Sequence, residues 1–174
     1  PAVARSSRDY DTFNVLTEIL GGPGYFQSRL WQELRQKRGL VYSVGSQMKS
    51  DKDRGDLEIQ LSASPDNVSS SISIVRDQLE HLRTQPVTEY DLAQAKLRLV
   101  SQALLNEASA GGQLDELLSI AQDRLPLDYY STLSQRYAGI TPADVQRVAK
   151  EYLQPGRLIE VFSGPAGPWA NHAL

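Results

Sequence analysis

Residues 16–44 read LTEILGGPGYFQSRLWQELRQKRGLVYSV, and the changes of pattern inside this stretch decide the fold. Leading into it, Phe13, Leu16 and Leu20 recur at helical spacing and Val15 and Ile19 widen the stripe, so residues 9–20 are predicted as a helix. Gly21-Gly22-Pro23-Gly24 ends that helix, because glycine adopts left-handed conformations and proline cannot continue the hydrogen-bond ladder. A second helix is predicted over 26–37, carrying Leu30, Trp31 and Leu34 inward and stopped by Gly39. The period then drops to two. Leu40, Tyr42 and Val44 are placed on one face of a strand, with Val41 and Ser43 on the other.

Working outward, residues 57–63 (LEIQLSA) alternate as a half-buried strand, with Leu57, Ile59, Leu61 and Ala63 on one face. The polar loop SDKDRG suits an antiparallel hairpin between the two strands. Helices follow. Ser64-Pro65-Asp66 starts one whose buried stripe is Val68, Ile72, Val75, Leu79 and Leu82. Thr88 with Asp91 opens another that runs to about Glu107. Gly111-Gly112 is expected to break the chain before a helix carrying Leu114, Leu117, Leu118 and Ala121, and residues 127–137 are expected to form a further helix. Thr141-Pro142-Ala143-Asp144 begins the last one, packed through Val145, Val148, Ala149 and Tyr152. Residues 158–162 are predicted as a closing strand. The fold class is α+β: an antiparallel sheet covered by helices, in one domain over 1–165 with a tail at 166–174. That sheet is thin for so much helix, and one or two more strands are expected upstream of Pro1.

The chain has 174 residues and a net charge of −3, with no basic stripe of the kind that nucleic-acid binding favours. Arg29, Arg35, Lys37 and Arg38 cluster locally and are interrupted by Glu33. With no cysteine, thiolate catalysis, disulfides and cysteine–zinc sites are excluded. No apolar run approaches the ~18–20 residues of a membrane span. The two histidines offer little. His81 ends DQLEH, one substitution from H-x-x-E-H, with Asp77 in the place of the first histidine. Leu79 faces the core, however, so Asp77 and His81, each two residues away, are expected to face solvent. His172 lies in the tail. A serine triad fails for the same shortage of histidine. The G-G-P-G run lacks the lysine and the preceding strand that a phosphate loop requires.

Two residues could carry chemistry. Arg35 closes the second helix and Tyr42 follows on the strand, joined by a glycine turn. Both donate hydrogen bonds, arginine as a charged fork and tyrosine through its hydroxyl, and together they could steady a peptide carbonyl or an oxyanion. The competing reading pairs Arg35 with a surface carboxylate and puts Tyr42 in the core.

Several elements together resemble the insulinase/pitrilysin/mitochondrial-processing-peptidase family of zinc metallopeptidases: L-G-G at 20–22, S-R-L at 28–30, L-R at 34–35 and G-L-V-Y-S-V at 39–44. Less distinctive similarity continues through T-P-A-D-V at 141–145 and V-F-S-G-P at 161–165. The resemblance implies one half of a clamshell of two α+β domains. One half binds zinc through H-x-x-E-H and a downstream glutamate. The other lacks zinc ligands and supplies an arginine and a tyrosine to substrate, here Arg35 and Tyr42. Where the catalytic half has its zinc motif, this chain has N-V-L-T-E-I-L, with Glu18 near the catalytic glutamate's place and no flanking histidine. The implied function is the non-catalytic, peptide-binding domain of a zinc metalloendopeptidase, inactive alone. It would work with a zinc-binding half in cis or as a heterodimer, and the zinc would sit in that half. A structural scaffold subunit and a stand-alone peptide-binding module are the alternatives. The resemblance also points towards the bacterial periplasm.

Overall fold

In the computed structural model, which describes residues 2–164, helix α1 (Tyr10–Gly21) is the centre around which the rest is arranged. Phe13, Val15, Leu16, Ile19 and Leu20 are all buried, so apolar side chains leave α1 in nearly every direction. Full burial of each such side chain contributes about 1.5–3 kcal/mol, and this concentration makes α1 the organiser of the core. It packs against strand β1 (Val41–Ser50), α3 (Glu89–Glu107), α5 (Leu133–Ala138) and α6 (Pro142–Tyr152). Helix α2 (Val68–Thr84) lies against α6.

Strand β1 pairs antiparallel with β2 (Gly55–Ala63), as the hairpin pattern predicts. Met48, Ser46 and Val44 face Leu57, Ile59 and Leu61 across the ladder, and Ser46 Oγ donates to the Thr17 carbonyl of α1 at 2.8 Å. The opposite face is polar. There Glu58 pairs with Lys49, which holds its carboxyl down at about 2. Gly21 allows α1 to end directly on β1, since a Cβ there would stand 2.9 Å from the Ser46 backbone nitrogen.

The pairing jumps between Val41↔Ala63 and Ser43↔Ser62, so Tyr42 is the extra residue of a β-bulge. The bulge corrects the expected facing. A one-residue insertion reverses the alternation, so Val41 joins the buried side at 1% exposure and Tyr42 turns out to solvent at 68%.

Other expectations need adjustment. Residues 23–28 form turns rather than the first part of a helix, with Gly24 left-handed at φ 68°. Helix begins at Arg29 and widens into a π-helix, Trp31–Gln36, in which the Lys37 N–H reaches the Gln32 carbonyl at 3.0 Å. Gly111 and Gly112 lie inside the first turn of α4 (Ala110–Asp123) instead of breaking the chain. Ser109 caps that turn by accepting from Gly112 N at 3.0 Å, and a Cβ on Gly112 would collide with the Asn106 carbonyl at 1.9 Å, so glycine is what lets α4 fold back on α3. Of 127–137, only Leu133–Ala138 is helical. Residues 158–162 form no strand. Ile159 and Val161 are 92% and 88% exposed, and an alternating apolar segment becomes a strand only with a ladder partner. Arg76 holds Glu160 to α2 at 2.6 Å. The tail at 166–174, including His172, lies outside the described residues. None of the described helices is long and apolar enough to cross a membrane.

Candidate functional site

Leu34, fully buried, anchors the π-helix and leaves its neighbours Glu33 and Arg35 directed elsewhere. Glu33 accepts from Lys37 at 2.5 Å and also bonds Arg38, and these cations, Lys37 first, hold its carboxyl below the usual range. The local basic cluster is therefore largely neutralised from within. Arg35 stands apart. Its Nη1 donates to the Val41 carbonyl at 2.9 Å, and among the described residues it makes no ion pair. That bond places the guanidinium beside the residue preceding Tyr42, on the corner where the bulge turns the tyrosine outward. The turn between them depends on Gly39, left-handed at φ 62°. The structure thus brings Arg35 and Tyr42 to one exposed corner. It does not provide the carboxylate partner or the buried tyrosine of the competing reading.

Glu18 lies elsewhere, on α1, and is 7% exposed. Its carboxylate accepts from Arg98 Nε of α3 at 2.6 Å. Arg98 also donates to the Pro23 carbonyl at 2.9 Å and lies over the Tyr25 ring at 5.1 Å. Gly22 makes room for this arrangement, because a Cβ there would fall 2.1 Å from Glu18 Oε2. Glu18 and Arg98 line a cleft of about 330 Å³ together with Asn14, Thr17, Ser46 and Gln102. This donor set does not suit zinc: a guanidinium occupies the buried carboxylate, and no group of three metal-binding side chains is found among the described residues. Sequence reading noted Glu18 and missed Arg98, because nothing local marks a partner 80 residues away. Asp77 and His81 are exposed on α2, and His81 Nδ1 lies 2.7 Å from Arg29 Nη1.

A second cavity, of about 610 Å³, lies between α1, α3, α4 and the Tyr129–Tyr130 turn. Arg5 crosses its wall over the Tyr10 and Tyr129 rings, bonds the Tyr10 hydroxyl and reaches Asp123 at 3.7 Å. Burial pushes the Tyr129 hydroxyl up to about 12. Neither Arg35 nor Tyr42 lines either cavity.

An α+β domain with an exposed Arg–Tyr corner and no zinc ligands defines the class. Residues 1–99 match the family described as the peptidase M16 inactive domain. The match spans more than half of the chain, and the chain belongs to that family. It is 30% identical over 156 residues to an uncharacterized zinc protease from Streptomyces coelicolor, covering 88% of this chain and 33% of that protein. It is 24% identical over 158 residues to the mitochondrial-processing peptidase subunit alpha of Caenorhabditis elegans, covering 83% and 30% of the two. The crystal structure of a peptidase M16 inactive domain from Pseudomonas fluorescens matches with a TM-score of 0.77 at 26% identity, across 88% of this chain and 36% of that one. The chain thus spans about a third of the length of the curated relatives it matches. It is a non-catalytic domain of the zinc-protease family.

Proposed function

We propose that this chain holds peptide for a zinc-binding half that carries out hydrolysis. Arg35 binds substrate backbone or a carboxylate, and Tyr42 donates a hydrogen bond to the carbonyl under attack. The reading rests on one observation above all. The β-bulge turns a tyrosine that strict alternation would bury into solvent, next to an arginine anchored on the preceding carbonyl. A donor pair on rigid elements favours the oxyanion as charge develops, which is where such donors contribute most. The zinc and its activated water belong to the partner half, in cis or as a separate chain.

The test is cleavage of a quenched, unstructured peptide by this chain alone, by this chain with its parent's zinc-binding half, and by that pair carrying Arg35→Ala or Tyr42→Phe. Activity should need both halves and fall at least about tenfold in each variant, which corresponds to about 1.4 kcal/mol of transition-state binding. Wild-type rates in both variants would remove the clamp and leave a scaffold role for the domain.

A further inference from the structure

Helix α4 is amphipathic with its faces reversed. Gly112, Asp115, Glu116 and Ser119, spaced three or four apart, line the cavity on the domain side. Leu114, Leu117 and Leu118 fall on the opposite side and are 57%, 61% and 46% exposed. No residue of α4 is buried. The adjoining end of α3 repeats the pattern: Leu99, Gln102, Ala103 and Asn106 line the same cavity while Leu104 and Leu105 are 61% and 70% exposed. A surface helix ordinarily turns its apolar stripe to the core. A row of outward leucines marks a face that something else covers.

Charge narrows what that is. Residues 99–123 contain no lysine, arginine or histidine, while Glu107, Asp115, Glu116 and Asp123 are acidic. Arg5 reaches Asp123. The others have no ion pair among the described residues, and burial together with Glu107 pushes the Glu116 carboxyl up. A second copy of the same face would bring acid against acid.

We infer that the outward face of α4 is the seat of the zinc-binding half, which meets Leu114, Leu117 and Leu118 with an apolar patch bordered by lysine or arginine. The inference rests on the clamp reading for the existence of that half, and it adds the surface through which the two are held. Most of the length of the relatives has no counterpart in this chain, so there is ample structure to supply such a patch. The acidic border steers the approach, and burial of the leucines supplies the attraction.

A photo-crosslinking residue placed at Leu117, in the parent protein or in the reconstituted pair, should couple to the zinc-binding half at a peptide containing lysine or arginine. The same residue at Tyr90, 62% exposed at the start of α3, should not. Leu117→Asp with Leu118→Asp should keep the helical circular dichroism, since neither side chain is buried, yet lower peptidase activity at least tenfold. Crosslinks to a second copy or to the peptide, or no crosslink with full activity in the double variant, overturn the inference. The Arg35→Ala pair separates the two readings. If it loses activity but keeps the Leu117 crosslink, both stand. If it keeps activity and crosslink, only the clamp falls. If it loses activity where wild type shows no crosslink, only the docking face falls.

Discussion

Glu18 illustrates how much a single buried charge demands of its surroundings. A carboxylate at 7% exposure is tolerable only with a cation in contact, and Arg98 supplies it at 2.6 Å. Removing the arginine alone leaves an uncompensated charge, whereas removing both groups leaves only a gap. Arg98→Ala should therefore cost roughly 2–3 kcal/mol in urea unfolding, less than for a fully buried pair because Arg98 keeps 36% of its side-chain exposure. Glu18→Ala/Arg98→Ala should recover at least about 1 kcal/mol of that loss. Strict additivity in the cycle would mean that the pair merely coexists. Arg35 and Tyr42 were legible as a pair because both lie within one short stretch. The orientation of Tyr42 was not, because alternation counts residues and the bulge adds one that only the partner strand reveals. Arg98 was hidden for a related reason: its role exists only once α3 is laid beside α1.

At the scale of elements, what the sequence reveals divides by range. The Thr88 cap and the Thr141–Asp144 capping box are local, and both are in place, with Asp91 N at 3.0 Å and Asp144 N at 3.2 Å from their threonine oxygens. The strand expected at 158–162 depended on a non-local partner, and no strand forms there. Glycine shows the same division. Gly39 and Gly111 both stand in open space, with nothing within 4 Å of an added Cβ, but only Gly39 has a positive φ. Gly39→Ala should thus lower stability by about 1–2 kcal/mol through backbone strain alone. Gly111→Ala, within the first turn of α4, should raise it by about 0.4–1 kcal/mol by restricting the unfolded chain. Thermal unfolding of the two variants separates these signs. If both destabilise equally, the turn at Gly39 is not what sets the path from the π-helix into β1.

Across the whole molecule, the two ends of the described chain are tied by charge. Asp9, 3% exposed at the start of α1, accepts from Arg147 at 2.7 Å and from the Tyr152 hydroxyl at 3.0 Å, both on α6. Arg136 of α5 reaches Asp11 at 2.7 Å in the same region. The Arg147 hydrogen bond, opposed by burial and reinforced by Tyr152, holds the Asp9 carboxyl below its ordinary value. Because the folded value lies below the unfolded one, near 3.9, this group adds stability above that pH and loses it as the pH falls through its folded value. Asp144 and Glu33 are shifted in the same direction and act in the same window. The domain should therefore weaken progressively below about pH 4. Asp9→Asn should cost about 2 kcal/mol at pH 7, the worth of a charge-assisted hydrogen bond. That difference from wild type should shrink as the pH is lowered from 5 towards 3, since the wild-type carboxyl then becomes neutral as well. Urea unfolding of both proteins across that range measures it. A difference that stays constant would show that Asp9 joins α1 to α6 through shape alone, and the acid sensitivity would then have to come from Glu33 and Asp144.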